Sequence, residues 1–416
     1  MSLEITRPER DYLRDLAKKQ REYAASPVME ERRRRWLSIN AGSPVAAPIV
    51  VETWTFTGDM MPEGVLRCRT AEARRIESVL LGNLREHEIL DDDKVMPDFF
   101  PVRYAVSQDD FGLEIETKHV ADSSGRRIGH EFIHPIDDLE EDFGKLQPLS
   151  ISVDREATIR ECDLVDSILG GILPVALNGC PGYIGLTEKV IKLMGMEQFY
   201  YAMMDQPDAV HRLMRHLTDG QLEVLRFHER EGLLTLNNGN HQTGMSSYGF
   251  TNELPSAGFD GHHVRTKDIW LWVEAEEMAG ASPELFKEFV LPYVAEVSAE
   301  LGLVYYGCCE PLHFQWPDIY AAIPNIRKVS VSPWSDPFRM GEHLRGTGVV
   351  FSRKPSAVYL GVNDKLDEAA WRAHIRETAE AAKGCPLEII IRDVYKVRNL
   401  LDVRRAVEIA REETSR

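Results

Sequence analysis

The sequence predicts an α/β fold, and more narrowly a (β/α)8 TIM barrel with an N-terminal helical extension and hairpin and loop insertions at its C-terminal face. Two observations carry this prediction. Short apolar runs rich in β-branched residues recur eight times along the 416 residues, and each run ends in polar residues. Amphipathic helical stretches lie between most of them, an alternation typical of a parallel sheet. Eight strands favour a closed barrel over an open doubly wound sheet.

The elements follow in order along the chain. The polar, charged residues 1–38 predict one or two helices that form an N-terminal extension, and residues 39–416 are assigned to one barrel domain. Residues 282–301 show helical spacing of apolar side chains, and Pro292 within them is expected to kink the helix. The predicted strands lie in the apolar runs 47–56, 94–100, 172–182, 232–240, 301–310, 327–336, 348–356 and 387–395.

Two segments are insertions beyond the eight strand–helix units of a minimal barrel. Residues 102–147 alternate in a way that suits an antiparallel hairpin, and residues 240–281 hold a long polar loop and then an extra strand-like piece. Because both segments follow predicted strands, we expect them at the C-terminal face, where the active sites of barrels lie. The glycine patterns GxGxxG and GxxxxGK[ST] are absent from the sequence, which disfavours a nucleotide-binding fold.

Composition and charge exclude several classes of protein. The formal net charge of −18 argues against a nucleic-acid partner, whose phosphates require a basic surface. No apolar stretch is long enough for a membrane span, and the charged N-terminus lacks the apolar core of a signal peptide, so a cytoplasmic location is expected. Six cysteines in a chain of this length form no disulfide framework. The sequence leaves a homodimer open.

Polar and aromatic residues follow the predicted strands. In a barrel these positions converge on a central pocket, so they are candidate substrate contacts, although core packing is an alternative for the aromatic side chains. The predicted substrate-binding residues are Glu52, Trp54, Asp98, Asn237, Trp334 and Tyr395.

The stretch "YYGCCEPLHF" contains two adjacent cysteines. They are either small buried hydrophobic residues or metal ligands. Cys308 and Cys309 follow a predicted strand, and zinc suits a thiolate. Zinc requires three or four ligands, and no CxxC spacing supplies the others, so they must come from other strand ends. We expect both thiols to be reduced, and at least one to face the cavity near Glu274, His241 and Asp393.

Three residues are candidates for acid–base chemistry. Glu274 directly follows the aromatic run "WLWV", where a buried carboxyl with a raised pKa can bind metal or protonate a leaving group, although a solvated acidic turn is the alternative. His241 lies in the polar loop "NNGNHQTG" at the presumed mouth, either exposed or as a ligand or acid–base group. Asp393 follows the last predicted strand.

Three stretches of the sequence resemble the uroporphyrinogen decarboxylase superfamily, over roughly residues 30–412. They are "MEERRRRWLSINAGSPVAAPIVVE", "WVEAEEMAGASPELFKEFVLPYVAEV" and "LEIIIRDVYKVRNLLDVRRAVEIA". The resemblance implies a TIM barrel. Its decarboxylases carry an arginine-rich motif after the first strand, where this sequence reads "VVETWTFTGDM" without arginine, although Asp98 matches their pyrrole-binding aspartate.

The corrinoid-dependent methyltransferases of that superfamily bind zinc through His-x-Cys after the fifth strand and a cysteine after the eighth. Here Tyr306 or Gly307 occupies the histidine position, and the eighth strand offers Asp393 in place of cysteine. The resemblance therefore implies a rebuilt zinc site, with Cys308, Cys309 and His241 as metal ligands.

The expected function is transfer of a methyl group between a small methylated donor and the cobalt of a separate corrinoid (cobalamin-type) protein. No cobalamin-binding module is visible in this chain, so the corrinoid is expected on a partner. Glu274, His241 and Asp393 are the expected catalytic residues. The alternatives are a decarboxylase of uroporphyrinogen type and a non-catalytic tetrapyrrole- or corrinoid-binding protein.

Overall fold

The computed structural model describes residues 5–121, 127–362, 365–395 and 397–415. Residues 1 and 416, the outer limits of the two predicted domains, lie outside the described residues. Within the described residues the chain is a mixed α/β protein with a central parallel sheet of seven strands and fifteen α-helices around it. No helix among these residues is long and apolar enough to cross a membrane.

The strands are short, as the apolar runs predict. They are β1 Ile49–Val51, β2 Phe100–Arg103, β3 Ala105–Gln108, β4 Glu116–Ala121, β5 Arg127–Ile133, β6 Ile151–Asp154, β7 Val175–Asn178, β8 Ile184–Gly185, β9 Gln242–Gly244, β10 Ser247–Tyr248, β11 Trp270–Glu274, β12 Leu303–Tyr306, β13 Ile326–Val331, β14 Val350–Arg353 and β15 Leu387–Ile391.

The helices lie before and between these strands. They are α1 Arg7–Ala24, α2 Pro27–Asn40, α3 Thr57–Met60, α4 Ala71–Arg85, α5 Leu139–Asp142, α6 Arg155–Leu169, α7 Leu186–Met194, α8 Met196–Asp205, α9 Pro207–Arg230, α10 Pro283–Phe289, α11 Leu291–Ala299, α12 Trp316–Ala322, α13 Pro337–Leu344, α14 Glu368–Ala381 and α15 Leu400–Thr414.

The central sheet has the order β1-β15-β14-β13-β12-β11-β8, and every neighbouring pair is parallel. The last strand therefore lies beside the first, with Ile49 opposite Ile389 and Val51 opposite Ile391. Both strands are buried along their whole length, which suits their sequences, apolar at every position except Glu388. Because all seven strands are parallel, their C-terminal ends meet at one edge.

Side chains bond the backbone of β1 at one outer edge of this sheet and the start of β11, beyond the end of the short outer strand β8. The carboxylates of Asp93 and Asp92 accept hydrogen bonds from the N–H groups of Ile49 and Val51 in β1, at 2.8 and 2.9 Å. The side-chain amide of Asn237 bonds both the N–H and the carbonyl of Trp270 in β11. The closed eight-stranded ring that the sequence predicts is not confirmed, because no continuous ladder joins β1 to β8 in the described residues.

Two of the predicted strands differ in the structure. Residues 232–240 form no strand, and the side chains of Asn237 and Asn238 hold this segment by hydrogen bonds to neighbouring carbonyl groups. Residues 94–99 are also irregular, and β2 begins only at Phe100 and pairs with β7 outside the central sheet. The piece at 270–274 that the sequence predicts as an extra is instead a central strand, β11.

The predicted hairpin is confirmed for its described part. Strands β4 and β5 pair antiparallel within residues 102–147, and the tip, residues 122–126, lies outside the described residues. Strands β3 and β6 form a second antiparallel pair. Pro292 also acts as the sequence predicts, because the expected helix is interrupted at Val290 and continues as a separate helix, α11.

The two N-terminal helices pack onto the rest of the protein. Thr6 caps α1 in a reciprocal capping box with Glu9, and Leu13 of the same helix lies in a core cluster formed with α4 and α6. In α2 the fully buried Trp36 packs near Val50 of β1 and donates its indole N–H to the carbonyl of Asp93. Helix α2 therefore covers the first strand of the sheet.

A charged network is buried inside the sheet. Lys328 of β13 and Glu388 of β15 form an ion pair at 3.0 Å, and both side chains are fully buried. Lys328 also donates to Ser247 Oγ at 2.6 Å, and Ser352 of β14 donates to Glu388. Burial lowers the pKa of the neighbouring Lys354 to about 7, and its amine donates to Ser352 and Tyr305. We call these groups, Lys328, Glu388, Ser247, Ser352, Tyr305 and Lys354, the buried ladder.

Candidate functional site at the C-terminal edge of the sheet

Two thiols stand at the end of β12. Cys308 Sγ and Cys309 Sγ are 3.6 Å apart and not bonded to one another. Gly307, with φ at +88°, turns the chain out of the strand, and a Cβ there would fall 2.6 Å from Leu312 Cδ1. This turn lets two consecutive side chains approach one another, which strict strand alternation would forbid.

A carboxylate completes this group. One oxygen of Glu276 and the two sulfur atoms all lie within 4.8 Å of one another. Glu276 opens a short 3-10 turn directly after β11, and this turn brings it beside the end of the neighbouring strand β12. We call Glu276, Cys308 and Cys309 the thiol–carboxylate cluster.

Arg392, which follows β15, borders the cluster. Its guanidinium Nη1 lies 3.7 Å from Cys308 Sγ, and its Nε lies 3.4 Å from Glu52 Oε1 and 3.3 Å from Asp393 Oδ2. Burial opposes its charge, but Glu52 and Asp393 outweigh burial and raise the pKa of Arg392. Asp393 itself has a left-handed backbone, φ +59°, a strained conformation of the kind found at functional sites. A fixed positive charge therefore faces the sulfur atoms.

Buried carboxyl groups lie behind the thiols. Glu310 accepts the backbone N–H of Cys308 at 2.7 Å, and burial raises the pKa of Glu310 to about 7. Glu274 is almost fully buried, and burial, followed by the charges of Glu277 and Glu310, raises its pKa well above the usual range. These groups hold protons near neutral pH and can act as proton donors.

The Cys308 thiol is protonated in this surrounding. The hydrogen bond with Cys309, followed by burial, raises the pKa of Cys308 far above the usual range. A thiol is a poor nucleophile and a poor ligand until it loses its proton. A bound cation would supply the charge that favours the thiolate form.

Exposed aromatic side chains surround the cluster. Trp54 is 61% exposed and donates its indole N–H to Glu52 at 2.6 Å, and Tyr395 lies with its hydroxyl 3.5 Å from Asp393. Trp334 is 73% exposed and lines a surface depression with Cys309. These aromatic residues stand at the ends of three different strands, on the edge where the cluster opens to solvent.

A cavity of about 590 Å³ is lined in part by Trp272, which packs against the hydrophobic group that contains Cys308. Its walls include two stacked aromatic pairs, Tyr183 with Trp272 and Phe99 with His241. Trp272 connects the cavity to the thiols, because its indole N–H donates to the carbonyl of Gly307 at 2.9 Å. The volume lies in the range of small-molecule sites.

His241 contributes an unpaired nitrogen to this cavity. Its Nδ1 is buried and has no hydrogen-bond partner among the described residues. Burial lowers the pKa of His241, so the imidazole is neutral near pH 7. Asn237 also lines the cavity, and both its amide nitrogen and its amide oxygen bond the backbone of Trp270, which holds the wall in place.

The structure brings together most of the residues predicted from the sequence. The group around the thiols contains Glu52, Trp54, Cys308, Cys309, Asp393 and Tyr395. Trp334 adjoins Cys309 on the outer side, and Glu274 is buried behind the cluster. His241 and Asn237 line the large cavity instead, and Asp98 is exposed between two cavity-lining residues.

Sequence reasoning missed three groups that the structure places here. Glu276 approaches the thiols, whereas His241 is not among the three grouped ligand atoms, so its role as a metal ligand stays a prediction. Arg392 and Glu310 are the other two: each is next in sequence to a predicted site residue, Asp393 and Cys309 respectively. Their signal was the strand-end position that they share with Asp393 and Cys309.

The cluster fits zinc. Two thiolates and one carboxylate give three protein ligands, which leaves a fourth tetrahedral position for a substrate atom. With Zn–S bonds of about 2.3 Å, tetrahedral geometry places two sulfur atoms about 3.8 Å apart. The observed separation of 3.6 Å needs little adjustment. Two thiolates also offset the double positive charge of zinc, and the carboxylates of Glu52 and Asp393 offset that of Arg392.

Comparison with known proteins gives a likeness in structure and none in sequence. No protein-family model matches the chain, and no curated protein sequence matches it. A solved structure described as a methyltransferase from Methanosarcina mazei is similar over 92% of this chain and 98% of that chain, with a TM-score of 0.50 and 14% sequence identity. At this identity the likeness shows a shared fold.

Proposed function

We propose that this protein is a methyltransferase that moves a methyl group from a small methylated donor to the cobalt of a corrinoid carried by a partner protein. One observation carries the proposal: a thiol pair and a carboxylate are grouped within 4.8 Å beside a ligand-sized cavity. The position of β15 beside β1 supports the (β/α)8 architecture, whose active sites lie at this edge. The free thiols suit a cytoplasmic location.

The cluster would hold zinc through Cys308, Cys309 and Glu276. Zinc there supplies a Lewis acid that polarises the heteroatom carrying the methyl group. Arg392 faces the sulfur atoms and offsets their negative charge. Glu52 and Asp393 fix the guanidinium in that position.

The remaining residues have roles in binding and proton transfer. The large cavity takes the donor between its aromatic walls, and neutral His241 accepts a hydrogen bond at Nδ1. The cobalt(I) centre of the partner supplies the electron pair of the new carbon–cobalt bond, while the bond between the heteroatom and the methyl carbon breaks. Glu274 or Glu310, which retain protons near neutral pH, deliver the proton that the leaving heteroatom takes up.

Methyl transfer to free cobalt(I) cobalamin tests the proposal directly. Zinc-loaded protein is mixed with methanol, methylamine, methanethiol or an aryl methyl ether, and the absorbance of methylcobalamin is followed. We expect methylcobalamin with one class of donor, and a loss of about 100-fold or more in Cys308→Ser, because a hydroxyl is a poor substitute for a thiolate ligand. Cys162→Ser, on α6 and away from the cluster, should keep full activity.

A different outcome would reverse the assignment. Release of carbon dioxide from uroporphyrinogen, with no methylcobalamin from any donor, would show a decarboxylase. Binding of a corrinoid without either reaction would show a non-catalytic tetrapyrrole-binding protein.

A further inference from the structure

A smaller cavity lies away from the thiol–carboxylate cluster. It has a volume of about 190 Å³ and sits between the loop that follows β3 and the first turns of α7. Tyr183 lines both this cavity and the larger one. Apart from Tyr183, none of the residues assigned to methyl transfer lines it.

One side of this cavity carries two lysines, Lys189 and Lys192, and two carboxylates, Asp110 and Glu188, but only one of the lysines forms a direct ion pair within the described part of the chain. Lys192 is paired with Glu188 at 2.9 Å. Lys189, by contrast, has no carboxylate oxygen within 4.0 Å among the described residues. Its Nζ donates one hydrogen bond, at 2.7 Å, to the neutral side chain of Gln221. An ammonium group has three donors, so further donors are available to a ligand.

The other side of the cavity is apolar. Phe111, Ile115 and Leu193 line it, and the ring of Phe111 lies 5.9 Å from Lys189 Nζ. Phe111 adopts a left-handed backbone, φ +58°, which is rare for a bulky residue. Its ring packs so closely on Gly220 that a Cβ there would fall 2.5 Å from it. This contact holds the strained Phe111 against the cavity.

We propose that this cavity binds a small aliphatic carboxylate, with its oxygen atoms on Lys189 and its hydrocarbon part against Phe111, Ile115 and Leu193. A carboxylate supplies the negative charge that the buried amine lacks, and the apolar wall favours an alkyl chain over a hydrated inorganic anion. The volume is below the roughly 300 Å³ of drug-sized sites, which limits the ligand to a short chain. This inference is independent of the proposed methyl transfer.

Protonation of the amine supports the same ligand class. Burial lowers the pKa of Lys189 to about 8, so the amine is still largely protonated at pH 7. Asp110 and Glu188, which also line the cavity, favour the charged amine, and Lys192 opposes it. Binding of an anion should therefore weaken as the pH rises through about 8.

Isothermal titration with butyrate tests the site, with butyramide as the uncharged analogue and inorganic phosphate as the unrelated anion. We expect saturable binding of butyrate, and a loss of about tenfold or more in Lys189→Gln, since a hydrogen bond to a charged group is lost. Lys189→Arg keeps the charge and should retain most of the affinity. Lys287→Gln removes an exposed lysine paired with Asp318 and should change nothing.

The inference would be overturned by equal binding of butyrate and butyramide, or by tighter binding of phosphate than of butyrate. The same affinity in folded Lys189→Gln as in the unchanged protein would also overturn it. Circular dichroism confirms that each variant is folded. Absence of butyrate binding at pH 7 would equally reject the site.

Discussion

The buried ladder and the thiol–carboxylate cluster are two polar groups of the same sheet, and they differ in how their charges are matched. In the buried ladder Lys328 donates to Glu388, to Ser247 and to a backbone carbonyl, which uses all three of its donors. In the cluster Cys308, Cys309 and Glu276 place two sulfur atoms and a carboxylate oxygen within 4.8 Å of one another, with no lysine among them. Paired charges inside the sheet hold its strands in register, whereas grouped ligand atoms at its edge suit a metal cation.

The pKa values follow the same division. Although burial opposes ionisation, Lys328 and Lys354 lower the pKa of Glu388, so this carboxylate stays charged inside the sheet. At the other site burial raises the pKa of Glu310 to about 7 with no lysine beside it to reverse the effect. The shifted pKa values of Glu310 and Cys308 at the sheet edge are typical of a functional site, whereas the charged Glu388 of the buried ladder is paired with Lys328.

Breaking the buried ladder should give the largest change in stability. Glu388→Gln leaves Lys328 buried beside an uncharged side chain, and we expect the free energy of unfolding to fall by about 3–5 kcal/mol. Urea denaturation at pH 7 measures it. Glu380→Gln, which removes an exposed carboxylate of α14, serves as the matched control and should change stability by less than about 0.5 kcal/mol. A loss below about 1 kcal/mol in Glu388→Gln would contradict the structural role.

The second lysine of the ladder predicts a dependence on pH. Because the pKa of Lys354 is about 7 in the folded protein and 10.5 in the unfolded chain, the unfolded state binds more protons between these values. The free energy of unfolding should therefore rise from pH 7 to pH 9, by about 2–3 kcal/mol from this group. Urea denaturation of Lys354→Met should show a rise smaller by that amount. Parallel curves for the two proteins would show that Lys354 is charged in the fold.

Side chains at the rim of the cluster should contribute the least to stability. Trp334→Ala removes a side chain that is 73% exposed, and the free energy of unfolding should change by about 0.5 kcal/mol or less. The buried Trp36→Ala provides the contrast, with an expected loss of about 3–5 kcal/mol. Thermal or urea unfolding of both variants makes the comparison. A large loss in Trp334→Ala would mean that the rim is part of the core.

Strands that are buried on both faces can be predicted from the sequence. The prediction fails where side chains, rather than a neighbouring strand, make the hydrogen bonds to the backbone. The run at 387–395 contains β15, since its apolar residues are covered on both sides. Residues 232–240 look similar, but their asparagine side chains make the hydrogen bonds that a strand would make. The composition of this segment resembles that of a strand. Its hydrogen-bond partners, Trp270 and Leu254, lie farther along the chain and cannot be identified from the sequence of the segment alone.

The candidate site, like the fold, could be predicted only in part from the sequence. The doubled cysteine at a strand end marks the centre of the cluster, as the sequence suggests. The choice among Glu274, Glu276 and Glu277 depends on the 3-10 turn after β11, which buries Glu274 and turns Glu276 toward the thiols. No pattern in the sequence separates three neighbouring glutamates.

Zinc content of the purified protein tests the central claim most directly, because it compares the ligand set of the structure with the set expected from the sequence. We predict about one equivalent of zinc per chain, retained in His241→Gln and lost in Cys308→Ser and Glu276→Gln. Elemental analysis after dialysis gives the number for each folded variant. Zinc that persists in Cys308→Ser, or that disappears in His241→Gln while Glu276→Gln keeps it, would contradict the thiol–carboxylate cluster as the functional centre.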